Sequence, residues 1–485
     1  MKHQIDCLLI AYSGWNKSDI FYKRLVRKDS RMLNISNPLS AAITYLGTSL
    51  DESGYTFEFV NSVEDEADRL VYLLQTYEIG SVGISTTFAP YEFEEGSKQL
   101  IELIALIRGI NDKPPIILGG AYIMNYVRLL EERGAEIMQS SLNALNADFI
   151  VDSPYGEEKL VAIISRLRAG SPVHNIPNLY INEEGQFART EKKKETYILR
   201  EKKINWQLFK GRAGNTVSIR TSVSCFNKCK FCTFPILAGK YNNVDVVHIE
   251  CELNKIHELG EVDLILFVDD TFNIPTDRFK EMLRMMVKNR YSFKWYAMIR
   301  CQTLDIESVK LMNESGCVGV LLGIESGSDT ILKAMNKQVN VEQYRKGIKL
   351  LKDYGITTLA SFFIGFPGET QETAKETYHF IEETKPDFYF LNTWFYDSRA
   401  PIHDEKEHYD LKGAELNWSH KYMDSKTAIQ TMLEMRRSIK NSIWLEEICD
   451  TLLFQMLAEL GAPIVKKICG ETSSEIQEMM EFFQS

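Results

Sequence analysis

Three cysteines lie close together near the middle of the chain. Cys225, Cys229 and Cys232 are separated by three and two residues within the segment SCFNKCKFCT, residues 224–233. Thiolates are the ligands that soft metal ions and iron–sulfur clusters prefer, and one loop with this spacing can wrap all three around a single centre. The spacing therefore predicts a metal centre rather than a set of disulfides.

The choice between zinc and iron depends on a fourth ligand. A structural zinc site needs four protein ligands, and the nearby His248, Cys251 and His257 lie on a predicted helix without a matching pair spacing. Zinc is therefore the less favoured alternative. Three cysteines around a four-iron cluster leave one iron without a protein ligand, and that open iron can bind a substrate or a cofactor.

The cysteines follow the first strand of a long run of alternating strands and helices. Strands are predicted near residues 217–221, 264–269, 293–300, 318–324, 357–364 and 388–396. Helices are predicted near residues 247–259, 276–289, 306–315, 341–354 and 370–384. Six such units favour an incomplete TIM-type barrel, whose site is expected where the strands end.

Polar residues and a glycine stand where the later strands end. They are Asp269 and Asp270 after the second strand, Arg300 after the third, Glu325 and Ser326 after the fourth, and Gly365 after the fifth. Each also has an ordinary structural interpretation: a cap for the acids and the serine, an ion pair for the arginine, and a plain turn for the glycine.

The Cys-x3-Cys-x2-Cys motif, with Phe231 before the last cysteine at the end of the first barrel strand, resembles the radical S-adenosylmethionine (SAM) superfamily. The resemblance implies a 4Fe-4S cluster whose open iron binds SAM, and one-electron cleavage of SAM to a 5′-deoxyadenosyl radical. It also implies a set of SAM contacts. They are Phe231 beside the cluster, Asp269 and Asp270 at the methionine ammonium, Arg300 at the methionine carboxylate, Glu325 at the ribose, Ser326 at a polar end of SAM and Gly365 on the adenine side.

The first 170 or so residues show a similar alternation. Strands are predicted at residues 5–12, 56–61, 81–87, 115–118 and 149–152, with helices near 40–50, 65–77, 94–108, 126–133 and 157–168. This pattern predicts an α/β domain of the doubly wound, Rossmann-like or flavodoxin-like type. The segments GISTTF (83–88) and ILGGA (117–121) follow its third and fourth strands, at the edge where such sheets bind ligands.

A doubly wound domain ahead of a radical SAM barrel resembles the cobalamin-dependent class of that superfamily, class B. The resemblance implies cobalamin at the carboxyl edge, with Ser85, Thr86 and Thr87 as hydroxyl donors and Gly119 and Gly120 allowing close approach of the backbone. The chain lacks the Asp-x-His-x-x-Gly motif of many cobalamin enzymes. The alternative for the double glycine is a plain tight turn, and the alternative for the whole domain is a vestigial or partner-binding role.

Charge and composition set the remaining boundaries. Residues 182–203 are rich in charged side chains, which is typical of a solvated linker or a β-ribbon. Beyond residue 398 the alternation stops, and helix formers at 425–440 and 445–459 predict a small helical cap. The expected domains are residues 1–170, a linker at 171–212, the partial barrel at 213–397 and the cap at 398–485.

Several short segments, in order along the chain, resemble the P-methyltransferase group of phosphinate antibiotic biosynthesis. They are NSVEDE (61–66), STT (85–87), LGG (118–120), FVDDTFN (267–273), MMVKN (285–289), FKW (293–295) and WSH (418–420). The resemblance implies methylation of an unactivated carbon or a phosphinate phosphorus, in a natural-product or peptide intermediate, with methylcobalamin as methyl donor. The alternatives are a rearrangement or cyclisation without methyl transfer, and a non-catalytic cobalamin sensor or zinc-stabilised binding protein.

Candidate substrate contacts follow the sixth barrel strand. They are Trp394, Tyr396, Asp397, Arg399 and His403. Arg399 would suit an anionic phosphinate or carboxylate. The ordinary alternative is a buried aromatic pair beside surface charges, and Trp418 and His420 are most simply structural.

The overall composition excludes several classes of protein. With 56 Lys plus Arg against 67 Asp plus Glu, the formal charge of −11 argues against a polyanionic partner. Apolar residues make up 44% of the chain, as in ordinary globular proteins, and no stretch reaches the roughly 20 apolar residues of a membrane span. We expect a cytoplasmic protein with reduced thiols. Its expected partners are a small-molecule or peptide substrate and an electron donor such as flavodoxin or ferredoxin, with no nucleic acid and no membrane.

Overall fold

The computed structural model describes residues 3–13, 38–88, 93–195, 199, 203–445 and 450–484. These residues form two compact units, which divide between Val217 and Ser218. None of the described helices is both long enough and apolar enough to span a bilayer.

The first unit alternates strands and helices from its start. Its strands are β1 (His3–Ile5), β2 (Cys7–Ser13), β3 (Phe57–Val60), β4 (Tyr77–Ile79), β5 (Val82–Phe88), β6 (Ile116–Gly119), β7 (Phe149–Val151), β8 (Leu179–Glu183) and β9 (Gln186–Arg189). Its helices are α1 (Ala41–Glu52), α2 (Ala67–Thr76), α3 (Phe93–Ile110), α4 (Ala121–Arg133), α5 (Ala135–Leu145) and α6 (Gly156–Arg168). β1 and β4 pair with each other, and the other strands share one sheet.

This sheet has the order β3-β2-β5-β6-β7-β8-β9, and the strands from β3 to β7 are parallel. The parallel part has the flavodoxin-like order 2-1-3-4-5, so the predicted doubly wound fold is confirmed. Leu8, Val82 and Leu118 are buried, as expected for central strands of a parallel sheet. Ser85 in β5 pairs with Gly119 in β6, so the two predicted cobalamin segments meet at one edge.

Part of the segment expected to be a linker, residues 171–212, belongs instead to this sheet as β8 and β9. β8 pairs antiparallel with β7, and β9 returns along β8 in a hairpin that pairs Glu183 with Gln186. Between them, Glu184 and Gly185 have φ values of +53° and +87°, as a two-residue type I′ turn requires. This hairpin corresponds to the β-ribbon predicted as one alternative for residues 182–203, although its strands begin earlier, at Leu179.

From β10 onwards the chain forms the partial barrel and the cap. The strands are β10 (Thr216–Ile219), β11 (Ser222–Val223), β12 (Asn242–Asn243), β13 (Leu264–Phe267), β14 (Lys294–Ile299), β15 (Cys317–Glu325), β16 (Thr357–Ile364), β17 (Phe388–Thr393), β18 (Lys412–Ala414), β19 (Asn417–His420), β20 (Met423–Asp424) and β21 (Ile443–Trp444). The helices are α7 (Phe234–Ala238), α8 (Val246–Leu259), α9 (Thr276–Asn289), α10 (Ile306–Glu314), α11 (Asp329–Ala334), α12 (Val341–Asp353), α13 (Gln371–Thr384), α14 (Lys406–Tyr409), α15 (Ser425–Ser438), α16 (Asp450–Leu460) and α17 (Ala462–Gln484).

The barrel sheet has the order β10-β13-β14-β15-β16-β17-β21, and its pairings from β13 to β21 are parallel. Its first six strands are the predicted ones, so the partial barrel is confirmed. The seventh, β21, has two residues and comes from the cap region. The ends of the parallel strands share one edge, which brings their predicted site residues to the same side.

The cap contains the predicted helices and, in addition, a three-stranded antiparallel sheet, β18-β19-β20. These strands have two to four residues, which is too short for a periodic pattern to reveal. Helix α16 packs on the barrel sheet, where Phe454 stacks on Tyr296 with ring centroids 3.9 Å apart. A Cβ atom at Gly319 would lie 2.6 Å from Phe454, so glycine makes room for this contact.

Candidate functional site

The cysteine loop begins directly after the first barrel strand. β11, at the start of the loop, pairs antiparallel with β12 beyond its end. Ser224 has a left-handed backbone conformation (φ +72°), and its hydroxyl donates to the carbonyl of Gly239 at 2.7 Å. The N–H of Cys232 donates to the carbonyl of Cys229 at 3.1 Å. The loop is therefore closed at its base and turned tightly between two of the cysteines.

The three predicted ligands are free thiols. Cys229 is buried, and Cys225 and Cys232 are half-buried. Burial raises the pKa of Cys229, and it raises the pKa of Cys232 to about 11. The positive charges of Lys337 and Arg300 oppose this effect on the pKa of Cys229. These cations would therefore stabilise a thiolate at the buried position.

The chemistry of the donor set fits an iron–sulfur cluster with three protein ligands. Among the described residues, no three His, Cys, Asp or Glu side chains surround a position for one metal ion. In a four-iron cluster each thiolate binds a different iron, so the thiols need not converge on one point. The Cys225 sulfur lies 3.3 Å from Nδ2 of Asn227 and 3.4 Å from the Thr271 hydroxyl. Hydrogen bonds to sulfur are one means by which proteins tune such clusters.

The two acids after the second barrel strand have different environments. The carboxylate of Asp269 is buried and accepts from the N–H groups of Thr221 (2.7 Å) and Ser222 (2.8 Å) and from the Thr221 hydroxyl. Its oxygens are thus occupied in anchoring the segment that leads into the cysteine loop, rather than in contacting SAM. Asp270 is half-buried, and burial and the charge of Asp269 raise its pKa to about 7. Of the pair, Asp270 is the acid that can offer its carboxyl group to a ligand.

A buried lysine that the sequence analysis missed connects several of the predicted residues. Lys337 Nζ lies 3.0 Å from Oε1 of Glu325 and 5.4 Å from the centre of the Phe231 ring. The guanidinium of Arg300 donates to the Lys337 carbonyl at 2.7 Å. Burial lowers the pKa of Lys337, but the negative charges of Glu325, Tyr344 and Cys229 together raise it by more, so the ammonium stays charged. Nothing in the sequence distinguishes Lys337 from a surface lysine, because its burial follows from the turn after α11.

The end of the fourth strand is shaped by a bulge. The register shifts between Gly323 and Glu325, and Glu325 has a φ of +69°. A Cβ atom at Gly323 would lie 2.6 Å from Glu325 Oε1, so the glycine leaves room for the carboxylate. Ser326 is buried, with its hydroxyl 3.2 Å from the Thr377 hydroxyl and accepting from the Ser328 N–H at 3.1 Å. Its contacts therefore support the structural interpretation of Ser326.

The loop after β16, residues 365–369, lies beside the cysteine loop. Phe231 makes edge-on contacts with Phe363 and Phe366, at centroid distances of 5.3 and 6.5 Å. Gly365 has a φ of +102°, which favours glycine. The predicted SAM residues Phe231 and Gly365 are therefore on neighbouring loops.

Four of the five candidate substrate contacts form two hydrogen-bonded pairs, and Trp394 stacks on a member of one of them. Trp394 and Tyr396 are buried and stacked, and the Tyr396 hydroxyl lies 2.6 Å from Nδ1 of His403. Arg399 donates to both carboxylate oxygens of Asp397, at 2.8 and 2.6 Å. The positive charge predicted to hold an anionic substrate is therefore already neutralised inside the protein.

The segment that carries these pairs is attached to the cysteine loop. The N–H of Ile402 donates to the carbonyl of Lys230 at 2.9 Å. The ammonium group of the same Lys230 forms an ion pair with Glu405. The Tyr396–His403 pair is therefore held on a segment fixed to the cysteine loop.

In the first unit, the predicted cobalamin residues lie at the carboxyl edge of the sheet. The Thr86 hydroxyl donates to the carbonyl of Gly119 at 2.8 Å and accepts from the Ile123 N–H at 3.1 Å, so it fixes the turn into α4. Gly120 precedes that helix with a φ of +107°. Ser85 is buried, and Thr87 follows within β5. Of these side chains, Thr86 has a clear structural role.

Comparison with known proteins identifies the barrel. Residues 219–381 match the family model of the Radical SAM superfamily. An uncharacterised methyltransferase of Pyrococcus horikoshii is 32% identical over 35% of this chain and 37% of its own length. The ribosomal protein uS12 methylthiotransferase RimO of Desulforamulus reducens is 29% identical over 38% and 44%. The anaerobic magnesium-protoporphyrin IX monomethyl ester cyclase of Rubrivivax gelatinosus is 27% identical over 39% and 35%. This chain thus spans less than half the length of these curated relatives.

Two solved structures are similar over most of the chain. The radical SAM methyltransferase TsrM from Kitasatospora setae, solved with cobalamin and a 4Fe-4S cluster, has a TM-score of 0.63 at 18% identity, covering 84% of this chain and 78% of TsrM. The cobalamin-dependent SAM radical enzyme OxsB, solved with aqua-cobalamin, has a TM-score of 0.56 at 16% identity, covering 83% of this chain and 55% of OxsB. At these identities the likeness concerns the fold. Residues 219–381 therefore form a radical SAM domain, in a chain whose fold is similar to that of TsrM and to about half of OxsB.

Proposed function

We propose that this chain is a cobalamin-dependent radical SAM methyltransferase. The observation that supports this most is the presence, in one chain, of a radical SAM domain and a flavodoxin-like unit. TsrM and OxsB, whose structures hold cobalamin, share this fold over more than four-fifths of the chain.

In this proposal the cysteine triad holds a 4Fe-4S cluster and the neighbouring loops hold SAM. The cluster ligands are Cys225, Cys229 and Cys232. Asp270 contacts the methionine ammonium, Arg300 its carboxylate and Glu325 the ribose, with Lys337 keeping Glu325 in place. Cluster-bound SAM supplies radical chemistry and cobalamin supplies a methyl group. An electron donor such as flavodoxin or ferredoxin would reduce the cluster.

Cobalamin would bind at the carboxyl edge of the first unit. Gly119 and Gly120 leave the backbone uncovered there, and Ser85 lies beside them across the β5–β6 pairing. Thr86 contributes by fixing the turn, since its hydroxyl is bonded within the protein. Open α/β sheets bind their ligands at this edge.

The methyl acceptor would be a small molecule or a peptide with an unactivated carbon. The internal Asp397–Arg399 pair leaves no net charge to attract a phosphinate anion, so a carbon acceptor is better supported than phosphorus. The Tyr396–His403 pair supplies hydrogen-bonding groups on the segment attached to the cysteine loop. A second candidate, a cyclisation without methyl transfer, is favoured by the similarity to the Rubrivivax cyclase.

Anaerobic reconstitution with iron and sulfide tests the proposal. The native chain should bind about four irons and cleave SAM to 5′-deoxyadenosine when reduced. Cys229→Ala should lose the iron and the cleavage, whereas Cys251→Ala, at an exposed thiol on α8, should keep both. Zinc as the only metal bound would contradict the proposal. Formation of 5′-deoxyadenosine without S-adenosylhomocysteine, for every substrate tried, would favour the cyclisation instead.

A further inference from the structure

The small sheet of the cap packs directly on the loop after β16. Gly365 in that loop would, if it carried a Cβ atom, place it 2.2 Å from the Trp418 ring. The Trp418 indole donates to the carbonyl of Trp394 at 2.8 Å, which holds its ring in this position. The loop and residues 412–424, the cap hairpin, therefore fit together only because residue 365 is glycine.

The ring of His420, also on the cap hairpin, lies on Trp418, the same residue that contacts Gly365, and is close enough to the Gly365 carbonyl to be influenced by it. His420 is 7% exposed and stacks on Trp418, with centroids 5.6 Å apart and planes at 9°. Its Nδ1 accepts from the Tyr422 N–H at 3.3 Å, so the proton of the neutral ring lies on Nε2. Burial lowers the pKa of His420 to about 4, and the Gly365 carbonyl opposes this effect. His420 is therefore a neutral hydrogen-bond donor at ordinary pH.

The other side of Gly365 is held by a carboxyl group. Oε2 of Glu369, which is fully buried, accepts from the Gly365 N–H. Within the described residues, Nε2 of His420 and Oε1 of Glu369 are both buried without a hydrogen-bond partner. A buried donor without a partner costs about 1 to 3 kcal/mol. Such a donor next to an acceptor carbonyl indicates a bond that a small shift of the loop would complete.

We propose that His420 is a positioning residue for SAM binding: its Nε2–H bonds the Gly365 carbonyl when the loop at 365–369 takes up SAM. Glu369 holds the N–H of the same glycine, so the loop is fixed from both sides. The cap hairpin thereby becomes part of the SAM site, although it lies outside the matched radical SAM domain. This inference rests on the proposed function, since it takes that loop as a SAM contact.

The test compares His420 variants by SAM titration of the reduced, reconstituted protein, followed by electron paramagnetic resonance of the cluster. His420→Phe keeps the ring that stacks on Trp418 and removes the donor. It should weaken SAM binding about tenfold, the order expected for one buried hydrogen bond, without changing the iron content or the spectrum before SAM is added. His420→Gln, which restores an N–H donor, should recover most of the affinity. His408→Phe, at an exposed histidine, should bind SAM as the native chain does.

Native affinity in His420→Phe would overturn the inference. If that variant does not fold, His420→Leu and His420→Gln give the same comparison, and equal SAM affinities in these two would also overturn it. A native chain that binds about four irons but shows no spectral change with SAM would refute the proposed function, and the inference with it. A normal SAM response of the native chain with an unaffected His420→Phe would refute the inference alone.

Discussion

The buried Glu325–Lys337 pair is the residue-scale feature on which the candidate SAM site depends most. The two side chains are 13% and 9% exposed, and their charges are 3.0 Å apart. Removing one member of a buried pair leaves the other charge without its partner, which costs about 3 kcal/mol. Lys337→Met should therefore lower the free energy of unfolding of the second unit by about 3 kcal/mol. The change would be measured as a lower urea midpoint in circular dichroism.

The control for this prediction is Lys333→Met, on an exposed residue of the adjacent α11. It should leave the urea midpoint unchanged. The double variant Glu325→Gln with Lys337→Met removes both charges and should recover part of the lost stability. Equal midpoints for Lys337→Met and Lys333→Met would contradict the structural importance of the pair.

Glu369 gives a prediction about pH. Burial raises its pKa to about 8, whereas a carboxyl group in the unfolded chain titrates near its ordinary value of 4.5. Between these values the unfolded chain has released the proton that the folded chain keeps, so the free energy of unfolding falls as the pH rises. Glu369→Gln removes the group whose ionisation destabilises the fold as the pH rises. The melting temperature of the variant minus that of the native chain should therefore increase from pH 5 to pH 8.

Thermal unfolding of both proteins at several pH values checks this expectation. Glu376→Gln is the matched control, because Glu376 is exposed on the neighbouring helix α13. As a substitution on the surface, it should leave the melting temperature close to that of the native chain. A constant difference between Glu369→Gln and the native chain would mean that Glu369 is ionised in the fold.

Single residues differ in how far the sequence predicted them. The cysteine triad was predictable because its spacing is itself the chemical signal. Asp269 and Asp270 are adjacent and chemically identical, so only the structure shows which carboxylate is occupied by Thr221 and Ser222. Lys337 was missed because its burial depends on the turn after α11.

At the scale of elements, the contact between the β16 loop and the cap hairpin yields a prediction about Gly365. An alanine there would combine a left-handed backbone with a Cβ atom 2.2 Å from Trp418. Gly355 offers a matched control, since its φ is +72° and nothing lies within 4 Å of its Cβ position. Gly355→Ala should cost about 1 kcal/mol of stability from backbone strain alone.

Gly365→Ala should cost clearly more than Gly355→Ala, measured as the difference in urea midpoints. It should also expose Trp418, which red-shifts and quenches the tryptophan emission. Equal midpoints for the two variants would show that the Trp418 contact is not maintained in solution.

The elements themselves were largely predictable where they are long. The parallel strands of both sheets are apolar runs between helices, and all eleven predicted strands are present. The β8–β9 hairpin was predicted only as a β-ribbon alternative to a linker, and the β18–β20 sheet was not predicted. Their strands have two to five residues and obtain their stability from the neighbours they pack against, which a local pattern does not contain.

At the scale of the whole molecule, the proposed cofactors belong to separate units and should be lost separately. A Cβ atom at Gly119 would lie 3.7 Å from Val151, an ordinary contact, so the fold should tolerate Gly119→Val. The added side chain would occupy the proposed cobalamin edge. Gly119→Val should therefore weaken cobalamin binding at least tenfold, about 1.4 kcal/mol, and keep the iron content.

Equilibrium dialysis with hydroxocobalamin, together with iron analysis, measures both effects. Cys229→Ala should show the opposite pattern, with cobalamin retained and iron lost. Gly109→Val, at an exposed position of α3, serves as the control for adding a branched side chain. Loss of both cofactors from Gly119→Val would contradict the assignment of cobalamin to this edge.

The position of α16 on the barrel sheet also determines when each unit can be completed during synthesis. The strands of the first sheet are all present once Arg189 has left the ribosome. The barrel must wait for β21 at Ile443–Trp444 and for Phe454, which covers Gly319 and Tyr296. Domains generally fold from the N-terminus as the chain emerges. The first unit is complete at Val217, so the nascent chain carries it for about 240 further residues of translation before Phe454 can cover the surface around Gly319 and Tyr296.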